Sequence, residues 1–194
     1  MTLVVFAWMS TTILFAQPGN DLEKQWHKQR VSTQKKGMMT LGVWAVGNIF
    51  VGGVMMNNTS GSAYRFHQMN LFWNVVNLGI ATGGYFGVPS EETASLKETV
   101  SGYQNLNQLL LFNAGLDIGY LMTGLYLKEK AKNSQKHQAM YRGYGNALLL
   151  QGGFLFAFDV VLYLVNRSNL QDILHHQNVQ VIISPVAAGI KVNL

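Results

Sequence analysis

The chain has 194 residues and no cysteine, which excludes a disulfide framework, a thiolate metal site and a cysteine nucleophile. Charge is scarce: Asp, Glu, Lys and Arg supply 12% of the sequence, about half the share of an ordinary soluble domain. No glycine-rich dinucleotide fingerprint, phosphate-binding loop, HExxH or GxSxG motif is present. What remains is 48% apolar and 11% aromatic, which excludes intrinsic disorder. The length fits one domain.

The charges that do occur are confined to short stretches. Lys24, Lys28, Arg30, Lys35 and Lys36 outnumber Asp21 and Glu23 in 20–36, and Arg65 stands alone in 58–65. Glu91, Glu92 and Glu98 outnumber Lys97 in 88–108, whereas Lys128, Lys130, Lys132, Lys136 and Arg142 outnumber Glu129 in 128–143. A nucleic-acid surface needs a basic face interleaved with stacking aromatics. These cations instead sit between apolar segments, as at the flanks of membrane spans. No nucleic-acid partner is expected.

Four apolar segments, residues 37–56, 66–87, 109–127 and 147–165, each hold about 20 residues, enough for a helix to cross a ~30 Å hydrocarbon layer. Their mean hydropathies are roughly 1.6, 0.8, 1.4 and 2.0 in chain order. The second is depressed by its asparagines, which leaves a soluble all-α bundle as the alternative. Against that alternative, only Asp117 and Asp159 carry charge within the four segments, and soluble helices of this length show a charged face. The expected fold is therefore an all-α membrane protein, a four-helix transmembrane bundle over 20–167. Residues 1–17 resemble a signal peptide or an N-terminal apolar segment: the run 2–16 suits a signal core and is short for a span. Asn20 and Glu23 form a capping-box-like helix start, and Ser90 is a candidate cap for a helix leading into the third segment. The tail, 168–194, has strand composition at 179–183 and 190–194 around Pro185 and Gly189, and predicts a short β-hairpin. The charge pattern puts 17–36, 88–108 and the tail outside and the other two linkers inside, with the basic flank at 20–36 as an exception.

Each apolar segment carries one polar stripe. His67, Asn70, Asn74 and Asn77 fall within about 80° of arc at helical spacing. Asn113 and Asp117 share a face of the third helix, Gln151 and Asp159 one of the fourth, and Trp44 and Asn48 one of the first. Polar groups facing lipid cannot be satisfied, so the stripes must face the interior. Gly79, Gly83 and Gly87 lie opposite the asparagine stripe. Together with Gly115 and Gly119 they have the small-xxx-small spacing of close helix packing. For the amides the expectation is interhelical hydrogen bonding. Asp117 and Asp159 have no basic residue within their own helices, and an intramembrane acid is a functional-site hypothesis by default. His67 is the one titratable candidate partner for them inside a span, and an acid protonated toward Asn74 or Asn113 is the other resolution. No metal or cofactor is expected, since His175 and His176 lack a third ligand and His67 is a lone candidate haem ligand.

The runs HQMNLFWNVVN (67–77), NAGLDIGY and LLLQGGFLFAFD resemble an uncharacterised bacterial family of small four-helix integral membrane proteins, over about residues 30–165. That resemblance implies a multi-pass protein of the bacterial inner membrane and no particular activity. Three readings follow. The first is a non-enzymatic bundle whose role is structural or partner-binding, with the lipid bilayer and a second copy or another protein as partners. The second is a small proton- or cation-coupled transporter or channel-like protein using Asp117, Asp159 and His67. The third is a membrane enzyme with those groups as acid and base.

Overall fold

The computed structural model describes residues 20–88 and 95–183. Four helices make up these residues: α1 (Asn20–Asn58), α2 (Gly61–Phe86), α3 (Leu96–Lys132) and α4 (Gln138–Ile183). Each boundary has a local cause. Asn58 Nδ2 and Thr59 Oγ1 donate to the Val54 and Met55 carbonyls at 2.9 and 2.7 Å, which satisfies the last turn of α1. Gly61, at φ +58°, then takes the left-handed conformation that glycine adopts without strain, and the chain reverses within two residues. At the start of α3, Ser95 Oγ accepts from Glu98 N–H at 3.3 Å and the Glu98 carboxylate accepts from Ser95 N–H at 2.8 Å, a reciprocal capping box. Those hydrogen bonds hold the Glu98 carboxyl below its usual range. The cap of this helix is thus Ser95; the candidate Ser90 lies outside the described residues.

The helices form two antiparallel hairpins, α1–α2 and α3–α4, with α2 running alongside α4 in the same direction. Gly143 packs on Ser62–Phe66 at one end of the α2–α4 contact, and Gln151 meets Asn70 further along. The buried positions of α3 (Thr99, Tyr103, Leu106, Leu110, Ala114, Asp117, Gly124, Ala131) step by three, four or seven, the repeat of a left-handed helix pair. On α4, Leu148, Gln151, Asp159, Leu162, Asn166, Leu170 and Ile173 continue the seam.

At 1.5 Å per residue, α2 is about 39 Å long and α4 about 69 Å. The excess of α1, α3 and α4 lies at one end, where residues 20–36, 96–108 and 166–176 form a three-helix cap. Tyr103, Leu170 and Ile173 are its core, with Trp26, Leu96 and Val100 against them, and the Trp26 and His176 rings meet edge-on at 5.6 Å.

Below the cap the usual distribution of residues is inverted. Val43, Phe50, Phe72, Val76, Phe112, Met122 and Val161 are exposed, whereas Asn70, Asn74, Asn77, Asp117, Gln151 and Asp159 are buried. In water this arrangement would leave apolar surface hydrated and hide the groups that water stabilises. Three helices (α1, α3 and α4) are long and apolar enough to cross a membrane.

Two expectations are corrected. The described residues contain no strand: 179–183 are the last turns of α4, and 190–194, like the signal-like 1–17, lie outside the described residues. The β-branched run Val179–Ile183 favours a strand only as a weak prior, and here an established helix continues through it. The glycines of the small-xxx-small motifs do not pack on another helix among the described residues. A Cβ added at Gly79, Gly83, Gly115 or Gly119 would meet nothing within 4 Å, and Gly87 is the C-cap of α2, its N–H bonded to the Gly83 carbonyl at 2.8 Å. Close approach falls instead to Gly124 against Gly145, Gly143 against α2, and Gly152 against the Asp117 carbonyl.

Candidate functional site

The polar stripes converge on the bundle axis in three tiers. The tier farthest from the cap joins α1, α2 and α4. Trp44 Nε1 donates to Gln151 Oε1 at 3.1 Å, and Gln151 Nε2 donates to Asn70 Oδ1. Asn70 Nδ2 donates to Asn48 Oδ1 at 2.8 Å, and Asn48 Nδ2 returns to the Trp44 carbonyl at 2.8 Å. Along α2, Asn74 Nδ2 donates to the Asn70 carbonyl at 2.7 Å and Asn77 Nδ2 to Asn74 Oδ1 at 3.4 Å. Asn48, Asn70, Asn74 and Gln151 each act as donor toward one neighbour and acceptor toward another. Amides can do this without any charge, so the tier fixes the mutual register of three helices without burying a charge.

The middle tier is the acid pair. Asp117 of α3 and Asp159 of α4 are buried, and their carboxyl groups lie close enough to interact with one another. The antiparallel α3–α4 seam brings them together: Gly152 lets α4 approach the Asp117 backbone, where a Cβ would come within 3.2 Å of the carbonyl oxygen.

The third tier lies at the cap. Asn166 is fully buried and its Nδ2 donates to the Tyr103 carbonyl at 2.9 Å and to Asn107 Oδ1 at 2.8 Å. Thr99 Oγ1 lies 3.4 Å from His27 Nδ1. Gln29 Nε2 donates to Asn169 Oδ1 at 3.1 Å, and Asn169 Nδ2 to Thr33 Oγ1 at 3.3 Å. The Arg30 guanidinium packs on Gly102, whose missing Cβ would stand 2.8 Å from Nη1. Burial holds Arg30 below its usual range and pushes the Tyr103 hydroxyl up to about 12.

Asn48, Asn70, Asn74, Asn77 and Gln151 are thus brought into one network, and Asp117 and Asp159 into a second. Asn113 is half-buried on the Asp117 stripe. His67 joins neither group. It is half-buried on α2, its ring edge-on to Phe66 at 5.1 Å and its Nδ1 without a hydrogen-bond partner. The acids meet each other rather than His67. The cap tier escaped sequence reasoning because Arg30 and His27 looked like flank residues. The available signal was spacing: Asn166 follows Asp159 by seven residues and so continues its stripe.

The geometry defines a class: a long-helix bundle with an apolar exterior, a polar axial seam and three helices able to cross a membrane. The chain belongs to the family of unknown function DUF6992, whose model matches residues 40–160. That region contains the amide network and the acid pair, while the cap residues 20–36 and 166–176 lie beyond it. No curated protein and no solved structure matches the chain.

Proposed function

We propose that the chain is a multi-pass integral membrane protein in which α2 also crosses the bilayer, and that it serves as a structural or partner-binding bundle. The inverted distribution of residues carries this reading. The asparagines that lower the hydropathy of α2 all face inward, and its outer face presents Phe72, Val75, Val76 and Ile80. The interior polar groups are satisfied largely side chain to side chain, which a scaffold needs and a solvated channel does not. The outward Gly79, Gly83, Gly115 and Gly119 leave their packing role to a helix of another chain.

The absence of cysteine makes topology directly testable. Ser60, Ser101 and Gln135 are exposed and sit in the α1–α2 turn, the cap and the α3–α4 turn. Single cysteines there, labelled in sealed vesicles with an impermeant maleimide, should report Ser60→Cys and Gln135→Cys on one side and Ser101→Cys on the other. Labelling of Ser60→Cys and Ser101→Cys from the same side would remove the four-span reading.

The Asp117–Asp159 contact favours a second reading, a proton or cation site. A seam built for structure alone is served by amides, as the neighbouring tier is. Asn at either position keeps a donor and an acceptor while removing one acid. On this second reading Asp117→Asn and Asp159→Asn should each melt in detergent level with the wild type or a few degrees above it, because acids held for function cost stability. They should also lower proton flux into reconstituted vesicles. A fall of more than about 5 °C in both variants, on the scale of 1–2 kcal/mol for a chain this size, would make the pair a structural brace instead.

A further inference from the structure

The outer surface carries a feature that the axial seam does not use. Between α1 and α2 runs an apolar groove of about 630 Å³, lined by Gly42, Val46, Gly47, Leu78, Thr82 and Tyr85 among others, within the ~300–1,000 Å³ range of ligand clefts. Through Met39 and Tyr85 it is continuous with a second hollow of about 340 Å³, lined by Lys28, Ser32, Lys35 and Lys36. Residues 28, 32, 35 and 39 share one face of α1 by helical spacing. Lys35 Nζ lies 5.5 Å over the Tyr85 ring, which fixes that amine at the groove mouth. Among the described residues no carboxylate lines either hollow. The single ion pair among the described residues, Lys132–Glu129, is at the far end of the bundle.

Three amines and a hydroxyl therefore crowd the cap end of a groove that descends into the apolar band. From Lys28 to Gly47 the feature extends about 28 Å along α1. An occupant must be anionic at one end and a long apolar chain at the other. A free anion would leave the groove empty, and an uncharged chain would leave the amines unanswered. We propose that this groove binds an anionic phospholipid, with its phosphate among Lys28, Ser32, Lys35 and Lys36 and one acyl chain along Gly42, Val46, Gly47 and Leu78. Basic pockets between spans recognise anionic headgroups in this way. The proposal rests on the membrane reading above, and the cysteine labelling tests that reading separately.

The test is thermal stability of the full chain in mild detergent, titrated with phosphatidylglycerol or phosphatidylcholine. Phosphatidylglycerol should raise the melting temperature with at least about tenfold higher apparent affinity than phosphatidylcholine. Lys28→Gln/Lys35→Gln/Lys36→Gln should bring the two lipids level, whereas Lys128→Gln/Lys132→Gln/Lys136→Gln, an equal loss of charge at the far end, should keep the preference. Gly47→Leu should weaken both lipids with every amine in place; a Cβ at Gly47 meets nothing within 4 Å, so the fold tolerates it. Equal response of the wild type to the two lipids would overturn the proposal. So would a preference retained by the first triple variant or lost equally in the second, or affinities for the two lipids left unchanged by Gly47→Leu. A retained preference beside same-side labelling of Ser60→Cys and Ser101→Cys would sink the four-span reading alone.

Discussion

Gly143→Ala should be among the most damaging single substitutions in this protein, although it adds one methyl group. The new Cβ would stand 2.6 Å from Arg65 Cβ and 2.7 Å from Phe66 N, with the Ser62 carbonyl closer still. Two of these three neighbours are backbone atoms, so no rotamer change relieves the clash and α4 must move off α2. Overpacking costs typically 1–3 kcal/mol and more where the surroundings cannot yield. We expect about 3 kcal/mol, read as a melting temperature in detergent lower by about 10 °C. Gly115→Ala and Gly119→Ala are the controls. Their Cβ positions are open, and alanine exceeds glycine in helix propensity by up to about 1 kcal/mol, so both should melt level or higher. Gly124→Ala and Gly145→Ala occupy one close approach, each Cβ falling within 3 Å of the other's carbonyl. Their double variant should therefore cost less than the sum of the singles. A Gly143→Ala protein that melts with the wild type would mean that α2 and α4 do not lie in parallel contact at this point.

The same glycines show where the sequence could be read and where it could not. The polar stripes were legible because desolvation gives them a single acceptable direction: Asn70, Asn74, Asn77, Asp117, Gln151 and Asp159 all face inward. Gly79 and Gly83 lie on the arc opposite those asparagines. In a four-helix bundle a helix has one interior face, so a stripe opposite the polar one must face outward. Spacing alone makes a small-xxx-small motif; which neighbour it serves depends on the other residues of the helix. The residues that do allow close approach, Gly124, Gly143, Gly145 and Gly152, belong to pairs on different helices, and pairing across helices is not written in local spacing. The partner of the acids was hidden for the same reason. His67 was the nearest titratable group by composition, but the α3–α4 register places Asp117 against Asp159. At the tail, local β-branched composition misled because it is only a weak prior for a strand, while the stripe through Asn166, Leu170 and Ile173 carries the helix onward.

Gln151→Leu should give the other large effect, because Gln151 is where three helices are joined. Its side chain is 1% exposed. It accepts from Trp44 Nε1 on α1 and donates to Asn70 Oδ1 on α2, and Asn70 passes the connection to Asn48. Leucine fills a similar volume, so cavity formation is a minor cost, but it strands the Trp44 N–H and takes the principal donor from Asn70 Oδ1. Two magnitudes compete. Interhelical hydrogen bonds in membranes average about 0.6 kcal/mol, because the separated helices find other partners. A buried group left unpaired costs about 1–3 kcal/mol. The second governs here, since the indole N–H is tied to a ring stacked on Phe154 at 3.8 Å and cannot turn to a new acceptor. We expect a loss of about 2–4 kcal/mol for the two groups together. The discriminating measurement is the cycle with Trp44→Phe. If the stranded indole is a main cost, Trp44→Phe/Gln151→Leu should melt above Gln151→Leu, since removing both partners is far cheaper than removing one. If the double variant instead melts at the sum of the two losses, the Trp44–Gln151 hydrogen bond does not couple α1 to α4.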